Sequence, residues 1–143
     1  MNEAAAKMLR GEAGLPPIAH LVGFEFVEGS QGRAVFRMTT DPARHGNPMG
    51  TVHGGVLCDL ADAAMGVAFA STLTEGESFT TLELKINFLR PVWRAELRAE
   101  GTVVQRGRTV GLVECSITDA EGKLVAKATS TCLTLRDEKA AGR

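Results

Sequence analysis

The chain has 143 residues, 44% of them hydrophobic and 23% charged, with a net charge of −1. That size and balance predict one globular domain around one core, and the near-neutral charge without a basic run offers nothing to grip nucleic acid. The cysteines, Cys58, Cys115 and Cys132, are odd in number and lack C-x-x-C spacing, so neither a disulfide framework nor a zinc site is indicated.

Residues 2–10, NEAAAKMLR, are strong helix formers closed by Gly11 and Gly14 and followed by Pro16-Pro17. Residues 1–15 therefore read as an N-terminal helical extension. Early glutamates and the lack of an apolar run argue against a signal peptide. A short helical turn is expected at 18–22, a strand at 24–27, a hairpin loop at 29–32 and a strand at 33–39. In that second strand Ala34, Phe36 and Met38 share a face. Asp41-Pro42 opens a loop that runs through His45 to Pro48.

Residues 47–73, NPMGTVHGGVLCDLADAAMGVAFASTL, are the centre of the chain. From Gly54 to Leu73 the only charges are Asp59 and Asp62, which predicts a helix apolar on nearly every side and therefore buried. The carboxylates also make it too polar to span a membrane, and a cytoplasmic protein is expected. Gly54 and Gly55 leave the first N–H groups uncovered at the positive end of the helix dipole, a place for an anion or a polarised carbonyl oxygen.

Past Glu75-Gly76-Glu77, residues 80–88 alternate, with Leu82, Leu84, Ile86 and Phe88 on one face and Thr81, Glu83, Lys85 and Asn87 on the other. Pro91 interrupts, and 93–105 resumes the alternation. Arg106-Gly107-Arg108 is a turn, 109–118 a strand, 119–122 a turn and 124–135 the last strand. A disordered tail is expected over 137–143. Two strands, a buried helix and four strands on short connections predict an α+β domain over 16–136, a largely antiparallel sheet wrapped around one long central helix.

Asn47-x-x-Gly50-x-x-His53-Gly54-Gly55, followed by Asp62 on the helix and by a hydroxyl residue, Thr81, in the next strand, resembles the signature of hotdog-fold acyl-CoA thioesterases. The branch it resembles is that of the phenylacetate-degradation (PaaI-like) thioesterases, which includes the mammalian thioesterase-superfamily member 2 type, and the similarity covers residues 20–135. The resemblance implies the hotdog fold and hydrolysis of an acyl-CoA thioester without a serine nucleophile. It implies that the Gly54 N–H, with Gly55 beside it, polarises the thioester carbonyl. Asp62 would act as general base on water or as nucleophile, Asn47 would help place water or substrate, Thr81 would support the carboxylate or the water, and His53 would orient the loop and Asn47. No cofactor is implied; coenzyme A is part of the substrate.

Gly54 and Asp62 lie eight residues apart, about 12 Å along a helix axis. A base must sit within hydrogen-bond reach of its water, beside the polarised carbonyl. Asp62 cannot readily serve the Gly54 of its own helix, so a homodimer or dimer of dimers with composite sites is expected.

Plainer readings stand beside each assignment. Asp62 alone would be a buried carboxylate capping its own chain, Asn47 a turn residue before Pro48, and Thr81 an ordinary β-branched strand residue. Asp59 is expected to be structural, and Cys58 to pack in the core. His20 and His45 have no motif around them, and no spacing of metal ligands occurs. Met65 and Phe69, beyond Asp62 on the helix, are expected to line the acyl pocket. Arg90, Arg106, Gly107 and Arg108 are the candidates for the coenzyme A phosphates, although charged turn residues are usually only solvated. The rival functions are a non-catalytic acyl-CoA-binding module and a hotdog hydratase or dehydratase; a serine hydrolase lacks its G-x-S-x-G.

Overall fold

The alternating segments form six strands: β1 (Phe24–Ser30), β2 (Arg33–Thr39), β3 (Ser78–Phe88), β4 (Glu96–Arg106), β5 (Val110–Asp119) and β6 (Leu124–Leu135). They make one sheet in the order β1-β2-β4-β5-β6-β3, with every pairing antiparallel. The computed structural model describes residues 1–141. Four helices complete it: α1 (Glu3–Leu9), α2 (Pro17–Val22), α3 (Pro42–His45) and the central α4 (Gly54–Ala70). This six-stranded antiparallel sheet packed on one central helix is the hotdog fold.

Close approach of α4 to the sheet rests on missing side chains. A Cβ on Gly101 of β4 would run into the Ala64 carbonyl and stand 2.8 Å from the Met65 nitrogen, and one on Gly111 of β5 would enter the Phe69 ring. Leu57, Leu60, Ala61, Ala64, Met65, Ala68 and Phe69 are buried against the strands. The opposite side of α4 is not covered. Asp62 is exposed, and Asp59, Ala63, Gly66 and Val67 are only half-buried. The sequence predicts a helix buried on most sides, but a single sheet can cover only one side of a cylinder.

Several local expectations are corrected. β1 continues to Ser30, so the hairpin turn is Gln31-Gly32 alone, with Gly32 at φ +78°. The loop after Asp41 winds into α3, whose first turn is capped by the Asp41 carboxylate accepting from the Ala43 N–H at 3.0 Å. β4 starts at Glu96 rather than at 93, because the segment after Pro91 is irregular. Where the tail was expected, Asp137–Ala140 forms a 3-10 turn, and positions 142 and 143 lie outside the described residues. No helix among the described residues is long and apolar enough to cross a membrane.

Candidate functional site

The start of α4 singles out one amide. His53 is its N-cap, and the His53 Nδ1 accepts the Gly55 N–H at 2.9 Å. With Nδ1 accepting, a neutral His53 carries its proton on Nε2. The Val56 N–H is taken by the His53 carbonyl at 3.0 Å. The Gly54 N–H has no acceptor among the described residues. A Cβ at Gly54 would lie 2.6 Å from the Phe88 ring, so only glycine lets this aromatic lie against the helix start. The free N–H opens into a groove of about 330 Å³ lined by Asn47, Thr51, Gly54, Phe88, Leu89 and Arg90.

Two turns further on, Asp62 meets Thr81, whose Oγ1 donates to Asp62 Oδ1 at 3.2 Å. Strict alternation put Thr81 on the face opposite Leu84. A β-bulge between Thr81 and Glu83 changes that: Thr81 pairs with Cys132 and Glu83 with Thr131, leaving Leu82 as the extra residue. The extra residue shifts the phase of the strand. Thr81 thereby faces α4 together with Leu84 and Ile86, which pack against the core, while Leu82 is exposed. Asp62 and Asp59 line a second groove, of about 420 Å³, whose other walls are β1, β2 and the N-terminal segment. Burial, and then the charge of Asp62, push the Asp59 carboxyl above its ordinary range. The Cys58 thiol is likewise pushed up, by burial first and then by both carboxylates, the opposite of what a nucleophilic thiol needs.

The remaining sequence candidates fall in different places. Asn47 spends its side chain within its own turn: Oδ1 accepts from the N–H groups of Met49 at 2.9 Å and Thr51 at 3.2 Å, and Nδ2 donates to Thr51 Oγ1 at 2.7 Å. It still lines the Gly54 groove, but His53 bonds to Gly55 rather than to Asn47. Met65 and Phe69 do not line the acidic groove; both are fully buried against the sheet. Phe69 packs on Phe79 with centroids 5.5 Å apart and lies under the Arg106 guanidinium at 4.9 Å. Arg106 is thus committed inside the chain, bonding also to Thr72 Oγ1 at 3.1 Å and to the Gly107 carbonyl. The carbonyl of Arg108 accepts from Arg136 at 2.5 Å. Of the basic candidates, Arg90 alone sits beside Gly54.

Two structural features carried no sequence signal of function. The ring of His45 is buried, accepting the Asp41 N–H on Nδ1 at 2.9 Å and meeting the Val22 carbonyl through Nε2 at 2.8 Å. It ties α3 to α2. The second is the wall that the N-terminal segment gives to the acidic groove; its apolar residues Met8, Leu15 and Ile18 were visible, but nothing in their spacing said what they cover. Among the described residues no group of three or more His, Cys, Asp or Glu side chains gathers to hold a metal.

A hotdog sheet with a free helix-start amide and a helical aspartate defines a class, and comparison with known proteins agrees. The family model described as thioesterase superfamily matches residues 49–126. The chain belongs to that superfamily. A solved structure of a phenylacetic acid degradation-related protein from Ralstonia eutropha JMP134 has 35% identity and a TM-score of 0.80, covering 90% of this chain and 98% of that one. A candidate esterase of Saccharolobus solfataricus is 41% identical over 87 residues, and the match spans 61% of each chain. Human acyl-coenzyme A thioesterase 13 is 26% identical over 107 residues, 73% of this chain and 75% of that one. Gly54, Asp62 and Thr81 lie within the matched residues and Asn47 just before them.

Proposed function

We propose that the chain hydrolyses acyl-CoA thioesters as a homodimer whose sites each combine Gly54 of one copy with Asp62 of the other. The observation that carries this reading is the separation of two unfinished halves. Among the described residues, one groove holds an unpaired N–H and no base, and the other holds an exposed carboxylate and no oxyanion donor. Each lacks what the other has.

In this reading the Gly54 N–H receives the thioester oxygen and stabilises the charge that develops there as water adds. The Asp62 carboxylate is held by Thr81 through Oδ1, which leaves Oδ2 to take the proton of the attacking water. The tetrahedral intermediate collapses by breaking the carbon–sulfur bond, and the departing thiolate recovers a proton. Products are the free acid and coenzyme A. Asn47 keeps the turn before the helix in shape, His53 withdraws the Gly55 amide from competition, and Arg90 stands where a phosphate of coenzyme A can meet a cation.

The surface supports a second copy. Strand β3 is a sheet edge, and Leu82, Phe88 and Leu89 on or just after it are more than half exposed, the last two lining the Gly54 groove. Apolar residues grouped along an open strand edge mark an interaction surface. The human relative, an acyl-coenzyme A thioesterase by name, supports acyl-coenzyme A as the substrate class.

The test is release of free thiol from a panel of aryl and alkyl acyl-CoA esters by the wild type and by Asp62→Asn. Turnover by the wild type and a loss of about a hundredfold or more in the variant is expected. Tight binding of the esters with no thiol released would instead favour a non-catalytic acyl-CoA-binding module. Full activity in a folded Asp62→Asn would put the base elsewhere.

A further inference from the structure

The groove that holds Asp62 has a composition of its own. Its floor is Phe24, Phe26 and Phe36, packed edge to face with centroids 6.0 Å and 5.6 Å apart. Ala63 and Val67 of α4 form one side. The outer wall is the N-terminal segment, which contributes Met8, Leu15 and Ile18. At about 420 Å³ the space is that of a small-molecule pocket rather than a packing defect. Its charged lining residues are Glu25, Asp59 and Asp62, and no lysine, arginine or histidine among the described residues lines it. Glu25 is ion-paired to Arg37 at 2.6 Å, so the uncompensated charge is that of the two aspartates.

The outer wall is fixed at both ends. Asn2 ties the start of α1 to the loop after α4, its N–H donating to the Leu73 carbonyl at 2.8 Å and its Nδ2 to the Glu77 carbonyl at 3.1 Å. The end of α2 is held by the His45 ring on the Val22 carbonyl and by Arg44 on the Leu21 carbonyl at 2.6 Å. Between those anchors Gly14 and Leu15 make no backbone hydrogen bond among the described residues. A strap anchored at its ends and unbonded in the middle spans the groove. It lies wholly outside the residues matched by the family model.

We propose that this groove is the acyl pocket, that residues 8–18 are its outer wall and set acyl preference, and that it accepts a neutral apolar acyl group while rejecting one that ends in a carboxylate. This rests on the thioesterase reading, because it is Asp62 at the groove that places the reacting carbonyl there. Beyond the carbonyl the acyl group meets aromatic and aliphatic surface. A terminal carboxylate would be desolvated with no cation to pair with and with Asp59 nearby, which is costly.

Gly14→Phe tests the wall. Gly14 lines the groove and has no left-handed φ, and a Cβ there would meet nothing within 4 Å, so the backbone accepts a large ring at the wall. In the variant, kcat/KM for decanoyl-CoA and phenylacetyl-CoA should fall about tenfold or more while acetyl-CoA changes by less than about twofold. The wild type should prefer decanoyl-CoA over its ω-carboxylate counterpart of equal length by about tenfold or more, and Asp59→Asn should narrow that gap. A loss spread evenly over the panel, or no loss, overturns the wall; equal use of the two long esters overturns the charge selection. Methyl NMR separates this proposal from the thioesterase reading. Decanoyl-CoA should shift the Met8, Ile18 and Val67 methyl signals where acetyl-CoA does not, whether or not thiol is released. Shifts without turnover would sink the hydrolytic reading and leave the pocket standing, and turnover with unmoved methyl signals would do the reverse.

Discussion

At Gly54 the useful group is the backbone itself: one N–H left over after His53 has taken the next amide and a glycine has made room for Phe88. Its counterpart, Asp62, depends on a single side-chain donor, Thr81. Thr81→Val keeps the shape and removes that donor. Because a small misplacement of a catalytic group can cost up to about a hundredfold in rate, the variant should lose about tenfold or more in kcat. Thermal melting beside the kinetics separates this from unfolding, since an exposed carboxylate losing one partner should leave Tm nearly unchanged. Motif spacing singled out Gly54, Asp62 and Thr81 as candidates, but not how they are held. Met65 and Phe69 were misjudged for a related reason. A helix apolar on almost every side carries no polar stripe to say which face meets the sheet, so the half-buried line through Ala63, Gly66 and Val67 could not be told from the buried one through Met65 and Phe69.

Strand positions followed from alternation because strands such as β2, β4, β5 and β6 turn one face to the core. The Thr81–Glu83 bulge did not, since the inserted residue, Leu82, is itself apolar and preserves the appearance of an unbroken pattern. Helix-on-sheet contact is decided at Gly101, where the neighbouring atoms are α4 backbone and cannot swing aside. Gly101→Ala should therefore destabilise the fold by at least about 2 kcal/mol, read as a lower denaturation midpoint. On β4, Glu100 ties the strand to its neighbour β2 by accepting from Arg33 at 2.7 Å, and it also accepts from Arg98 of its own strand at 2.5 Å. Those two bonds, Arg33 first, hold its carboxyl at about 2 against an ordinary 4.5. A carboxyl held below its unfolded value adds stability that is fully present above the ordinary value and lost as pH falls through the folded one. Between pH 4.5 and 2 the wild-type melting temperature should therefore fall, and Glu100→Gln should make that fall shallower.

For the molecule as a whole, the proposed function makes a single copy, with its two separate grooves and the exposed side of α4, half of a working pair. The sequence pointed to this through the rise of a helix alone, since Gly54 and Asp62 stand about 12 Å apart along one axis. A mixing experiment decides it. Gly54→Pro removes the N–H at a helix position that tolerates proline, with Phe88→Ala added to make room for the ring that glycine accommodates. Asp62→Asn removes the base. Each variant alone should be inactive, while the Phe88→Ala control should keep turning over ester. Unfolded together and refolded, the two variants form mixed dimers in which one composite site has both Gly54 and Asp62 intact and the other has neither. With random pairing about a quarter of the wild type's activity should return, since the restored site keeps its own Phe88. If both residues served one site within one chain, no pairing could reunite them and mixing would return nothing. The fraction recovered on mixing therefore measures how far the reaction belongs to the pair rather than to the chain.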